Sequence, residues 1–153
     1  MKLLDIGGSY DALSADKIAE LINIMLNILT SEQTLVMECG DLWFKNAGTL
    51  VTFVELIKEV SQKIKIVYLP ISKDGNLKWS SPKYIESKGS ESSEINEYYF
   101  YGASCFERDF ITVVKTYDLI MENDAIKFSN ISPYSVEWNV GFNGIIPIEV
   151  YYE

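Results

Sequence analysis

The spacing of apolar residues changes period along this chain, and that change restricts it to folds that mix helices with hairpins. Ile18, Leu21, Ile22, Met25, Ile28 and Leu29 recur at i, i+3 and i+4 and predict a helix over 14–30, with Ser14 as cap and Asp16 in the first turn. Ile24 and Leu26 make that helix apolar on more than one side, as in a helix covered from two directions. At the other end Val136, Trp138, Val140 and Phe142 alternate, Asn143-Gly144 offers a turn, and Ile146, Ile148, Val150 and Tyr152 alternate on the return. The expected class is α+β: one domain over 1–153 with a mixed or antiparallel sheet, two main N-terminal helices, and a C-terminal β-hairpin over 136–152.

Between these ends the signals are shorter. Residues 2–6, 34–39, 63–71 and 125–129 read as strands. Leu50, Phe53, Val54, Ile57 and Val60 share a helical face and predict the second helix over 49–62. Asp74-Gly75, lying between the 63–71 strand and Leu77-Lys78-Trp79, predicts a hairpin turn. Ser104-x-x-Glu107 is a capping box ahead of Phe106, Phe110, Val113, Val114, Tyr117, Ile120 and Met121, which predicts a third helix over 105–122. The β-branched Ile111, Thr112, Val113, Val114 and Thr116 leave a strand open there.

Charge is distributed unevenly. The chain carries a formal net charge of −9: residues 1–85 hold −1, residues 86–97 hold −3, and residues 98–153 hold −5. That balance lacks the Lys/Arg footprint of a protein that binds nucleic acid or an anionic membrane, and it favours a basic partner. The run ESKGSESSEINE at 86–97 reads as a long acidic surface loop, followed at once by Tyr98-Tyr99-Phe100-Tyr101. On a strand Tyr98 and Phe100 would face one way and Tyr99 and Tyr101 the other, so that one pair is available to a partner.

The chain contains no histidine, which removes the usual general base, the usual zinc ligand and every Ser-His or Cys-His pair. Cys39 and Cys105 have no metal-ligand spacing and read as buried thiols of a reducing compartment. The carboxylates of Glu38 and Asp41, of Glu107 and Asp109, and of Asp118 and Glu122 are better read as solvated faces than as a cation site. No catalytic residue, cofactor or metal is expected. Residues 1–6 lack a sustained apolar core and 18–29 is too short to span a bilayer, so the expected location is cytoplasmic.

Two resemblances bear on function. Leu3-Leu4-Asp5-Ile6-Gly7-Gly8-Ser9 resembles the first motif of methyltransferases that use S-adenosylmethionine, which implies a small transferase as one alternative. In size, acidity and lack of catalytic signature the whole chain resembles bacterial toxin-immunity proteins, and a phage-encoded DNA mimic shares those features. The immunity resemblance implies a non-catalytic inhibitor that occludes a basic cognate toxin. In that reading Glu86, Glu91, Glu94, Glu97, Glu107 and Asp109 pair with toxin Lys/Arg while Tyr99 and Tyr101 fill its pockets.

Overall fold

The computed structural model describes residues 2–44 and 47–152, and the chain separates into two compact units, Met1–Lys45 and Asn46–Glu153. In the first unit β1 (Leu3–Asp5) leads through a short turn to α1 (Ala15–Ile28), then to β2 (Thr34–Val36) and the short α2 (Gly40–Phe44). β1 and β2 pair in parallel, Leu4 opposite Leu35. α1 forms where its apolar period and cap predict it: the Ser14 hydroxyl accepts from the Lys17 amide at 3.4 Å, with Asp16 in the first turn.

Among the described residues the second unit has seven strands in two sheets. One sheet orders β3 (Gly48–Phe53), β9 (Ala125–Ile131) and β6 (Lys83–Ser87) side by side. The other orders β4 (Leu56–Glu59), β5 (Ile64–Tyr68), β7 (Ser90–Tyr101) and β8 (Phe110–Leu119). β5 runs parallel to β7, and the other pairs are antiparallel. Leu50, Ile126 and Phe128 from the first sheet and Val67, Tyr98, Phe100 and Ile111 from the second belong to one buried cluster, so the sheets enclose a shared core. Phe100 meets Phe128 edge-on at 5.4 Å and stacks beside Tyr84 at 6.3 Å.

The class is α+β, but several elements differ from expectation. The second helix predicted over 49–62 is β3 and β4, because the chain changes sheets there. The Val54 amide donates to Asp124 on the first sheet's side, and the next amide, Glu55, donates to Tyr68 of the second. A corner of this kind brings Leu50, Val54 and Ile57 to the core at spacings that imitate a helix. The third helix predicted over 105–122 is the strand β8, as its β-branched residues allowed.

The Asp74-Gly75 hairpin is instead one turn of helix, α3 (Lys73–Asn76), capped by Ser72, whose hydroxyl accepts from the Gly75 amide at 3.2 Å. Among the described residues the C-terminal hairpin does not form. Tyr134–Trp138 form α4, Asn143 and Gly144 take the left-handed turn their types favour, at φ 53° and 78°, and no strand follows among the described residues. The acidic stretch 86–97 is no loop either: it lies in β6 and β7, where Ser90 and Glu91 pair with Leu119 and Asp118 of β8. The register breaks between Glu91 and Asn96, so the ladder tolerates its polar residues.

A buried polar seam joins the sheets. The Tyr84 hydroxyl on β6 bonds the Asp118 carboxylate on β8, the Tyr98 hydroxyl donates to the Asp118 carbonyl at 3.1 Å, and the Ile120 amide donates to Tyr98 at 3.1 Å. Burial first, then the Asp118 carboxylate, pushes the Tyr84 phenol above its ordinary value, and burial raises Tyr98 in the same direction. Both phenols are therefore held neutral by the fold, and the stability this contributes is complete below the unfolded value of about 10 and is lost as pH rises towards the folded values. Urea denaturation across alkaline pH should show stability falling from about pH 10 upward. Tyr84→Phe should flatten that fall, and an unchanged slope in the variant would remove Tyr84 from it. Among the described residues no helix is long and apolar enough to cross a membrane.

Candidate functional site

The loop between β7 and β8 carries the most heavily determined polar structure in the second unit. Gly102 starts it, and only glycine fits, since a Cβ there would stand 2.4 Å from an Asp109 oxygen and 2.5 Å from the Ile71 carbonyl oxygen. Asp109 ends it and is buried, with 2% of its surface exposed. One Asp109 oxygen accepts from the Ser104 amide at 2.8 Å; the other accepts from the Lys73 amide at 2.5 Å and the Ser72 hydroxyl at 3.3 Å. A single carboxylate thus fastens the 102–109 loop to the first turn of α3.

α3 is held from its other side as well. Trp138 Nε1 donates to the Asp74 carbonyl at 2.8 Å, and the Val140 amide donates to the Gly75 carbonyl at 3.0 Å. Asn76 Nδ2 donates to Asn139 Oδ1 at 3.0 Å, and Asn139 in turn both accepts from the Ile148 amide and donates to the Ile148 carbonyl. The Lys78 ammonium lies 3.7 Å from the Trp138 ring centroid and 5.2 Å from that of Trp79.

Between these supports lies an open cleft of about 470 Å³ lined by Asp74, Cys105, Phe106, Glu107 and Arg108. Cys105 is exposed rather than buried as its type predicted, and Asn143 Nδ2 donates to its sulfur at 3.5 Å. Burial pushes the adjacent Lys73 ammonium below its ordinary value, against the opposing pull of Asp74 and Asp109. The cleft can offer two carboxylates, a thiol, a guanidinium and an aromatic ring from a backbone that is fixed beneath them.

Of the residues expected to form a partner surface, Glu97, Tyr99 and Tyr101 lie together on β7, with the Tyr99 hydroxyl donating to Glu97 at 2.8 Å. Glu86 stands 3.8 Å from Lys127, Glu94 2.8 Å from Lys63 and Glu97 3.4 Å from Lys115, all as pairs within the chain. Lys63 holds the Glu94 carboxyl below its usual range, and the Tyr99 hydroxyl followed by Lys115 does the same for Glu97. Glu91 lies opposite Asp118 on the β7–β8 ladder. Tyr99 and Tyr101 do face away from Tyr98 and Phe100, and with Val60, Ile64 and Ile66 they line a shallow groove of about 210 Å³. Of the eight residues only Glu107 lines the cleft, while Asp109 is turned inward beneath it. Asp74 and Cys105 were missed as site residues, one read as a hairpin turn and the other as a core thiol.

No protein-family model matches the chain, and no curated protein does. Solved structures match closely in fold. The arginine decarboxylase of Paramecium bursaria Chlorella virus covers 99% of this chain at 22% identity with a TM-score of 0.76, and its agmatine-bound structure gives 0.74. A lysine/ornithine decarboxylase from Vibrio vulnificus complexed with cadaverine covers 95% at 20% identity with a TM-score of 0.69. SrLDC, solved in complex with PLP and cadaverine, covers 99% at 18% identity, also with 0.69. The chain spans less than half of each: 44% of the viral protein and 42% of the other two.

These likenesses overturn the expectation of a toxin-immunity protein or toxin inhibitor. Size, acidity and the lack of histidine suggested a non-catalytic partner for a basic toxin, yet the backbone follows decarboxylases, and three of the six acidic residues assigned to the toxin, Glu86, Glu94 and Glu97, pair with lysines of the chain itself. Absence of histidine excluded only chemistry that needs histidine. The methyltransferase and DNA-mimic alternatives fall with the same comparison, since Gly7-Gly8 follows a strand of this fold. The chain has the fold of a part of these decarboxylases, with its cleft on the loop that Asp109 fastens.

Proposed function

We propose that this chain is the portion of an amino-acid decarboxylase that receives the cationic end of a basic amino acid or of its amine product. The observation that carries the reading is the pair of carboxylates, Asp74 and Glu107, in the cleft of a fold whose relatives are solved with agmatine and cadaverine. Both of those amines are cations, and a carboxylate recognises an ammonium or guanidinium through charge-assisted hydrogen bonds. Phe106 adds an apolar wall for a methylene chain or a ring face for the cation.

SrLDC is solved with PLP, whose phosphate needs an anion-binding turn, and the turn after β1 is the candidate in the first unit. Gly7 sits at φ 70° with open space where a Cβ would stand, Ser9 is also left-handed at φ 66°, and this turn directly follows β1. The Gly7 amide already donates to the Asp5 carboxylate at 2.9 Å, and a Cβ at Gly8 would stand 2.5 Å from the Glu38 carbonyl oxygen, so the turn is closed on its own strand and does not fit a phosphate. PLP supplies an electron sink for loss of carbon dioxide, and a lysine carries it. The geometry of this turn singles out no lysine of this chain for that role.

Titration of the isotope-labelled protein with agmatine and with cadaverine should shift the amide signals of 73–76 and 103–108. Asp74→Asn should weaken binding about tenfold through loss of one charge-assisted contact. Shifts confined to other parts of the chain, or an Asp74→Asn variant that binds as the parent does, would reject the cleft as the amine site.

A further inference from the structure

We infer that Arg108 makes the cleft selective for a ligand that carries a carboxylate as well as a cation, so that a basic amino acid is held in preference to the amine that lacks the carboxylate. This rests on the reading of the cleft as an amine site and names which of the two ligands it favours. Residues 106–109 form a hydrogen-bonded turn, the Asp109 amide donating to the Phe106 carbonyl at 3.0 Å, with Glu107 and Arg108 at its two corners. Both corner residues are exposed. The turn is held in place, because the Asp109 carboxylate is buried and accepts from the Ser104 and Lys73 amides. Opposite charges are therefore presented side by side at the cleft from one fixed piece of backbone.

The guanidinium is unspent. Arg108 is the single arginine of the chain, and among the described residues it enters no ion pair; those present join Lys63 to Glu94, Lys115 to Glu97 and Lys127 to Glu86. The cations nearest in the fold are disposed otherwise. Lys78 lies over the Trp138 ring, and burial draws Lys73 below its ordinary value. A guanidinium keeps its charge at any ordinary pH, and its planar fork matches the two oxygens of a carboxylate.

The balance of charge decides which ligand wins. Asp74 reaches the cleft from α3 and Glu107 from the turn, so an entering cation is attracted from both. An amine meets that attraction but also the opposing charge of Arg108. An amino acid meets the same attraction, and its carboxylate converts Arg108 from an opposing charge into a bidentate partner. The one residue thus adds to the binding of the acid and subtracts from that of the amine.

The isotope-labelled protein should be titrated with two matched pairs, L-lysine against cadaverine and L-arginine against agmatine, whose members differ by a carboxylate. In each pair the amino acid should bind about tenfold more tightly, through one added charge-assisted contact. L-Lysine methyl ester, which keeps the bulk of the carboxylate without its charge, should bind as cadaverine does. Arg108→Met should close the gap by weakening the amino acids, and at an exposed turn position it leaves folding unaffected. Equal binding within the pairs, or a gap that survives Arg108→Met, overturns the inference. The amine reading still stands in that case, provided that the amides of 73–76 and 103–108 shift and Asp74→Asn weakens every ligand. If none of the ligands moves those amides, the cleft is not the site and both readings fall together.

Discussion

Replacing Asp109 by Ala is expected to cost about 3 to 5 kcal/mol of folding stability, more than any other polar substitution near the cleft. The carboxylate accepts from two backbone amides and one hydroxyl in a site where Asp109 is 2% exposed. Its removal leaves the Lys73 and Ser104 amides without that acceptor, and a buried orphaned donor loses its desolvation energy without return. Asp109→Asn keeps one acceptor oxygen but turns an NH2 towards one of the donors, and should cost roughly half as much. Urea midpoints give the first readout. The second is local: amides of 103–108 should exchange faster in Asp109→Ala even under conditions where the β7–β8 ladder stays protected, because the loop is fastened through that side chain. A variant within about 1 kcal/mol of the parent, with an unaltered loop, would show that the carboxylate does not hold the cleft together.

The helix α1 and the strands β1, β2, β5 and β9 were legible because each is specified locally. Ser14 caps what the apolar period continues, and Lys63, Ile64, Lys65 and Ile66 alternate as on a strand. The corner at Val54 was not legible. Its two amides bond to different sheets, Val54 to Asp124 and Glu55 to Tyr68, and neither partner is near in sequence. Asn143-Gly144 shows the limit of turn chemistry: the residues take the left-handed conformation they favour, but whether a strand returns depends on a sheet edge elsewhere.

The cleft was hidden for a related reason. Asp74 and Cys105 are separated by β6 and β7, strands of different sheets, and what joins their loops is Asp109, which in sequence is one more acidic residue of a charge-rich run. The usable signal was the small and polar Gly102, Ser104 and Asp109 in a break between two β-forming stretches. Ser104-x-x-Glu107 fits a capping box equally well, and the Ser104 amide donates instead to Asp109. Charge placement misled further, since Glu94 and Glu97 face their own lysines across adjoining strands, a pairing invisible until β7 is set between β5 and β8.

The aromatic run that ends β7 supplies the other large effect. Phe100→Ala should destabilise the second unit by about 3 to 5 kcal/mol, while Tyr99→Ala should cost roughly 1 kcal/mol or less. Phe100 is fully buried and touches rings from three strands: Tyr84 at 6.3 Å, Tyr98 at 6.4 Å and Phe128 at 5.4 Å. Its removal opens a cavity between two sheets whose backbones are fixed by their own ladders, so the void cannot collapse cheaply. Tyr99, one residue earlier, faces the outer groove and bonds Glu97 at 2.8 Å, a contact that water can replace. Denaturant unfolding of both variants decides the register, since slippage by one residue exchanges the two faces of a strand. A larger loss for Tyr99→Ala than for Phe100→Ala would place Tyr99 in the core and require β7 to be shifted against both β5 and β8.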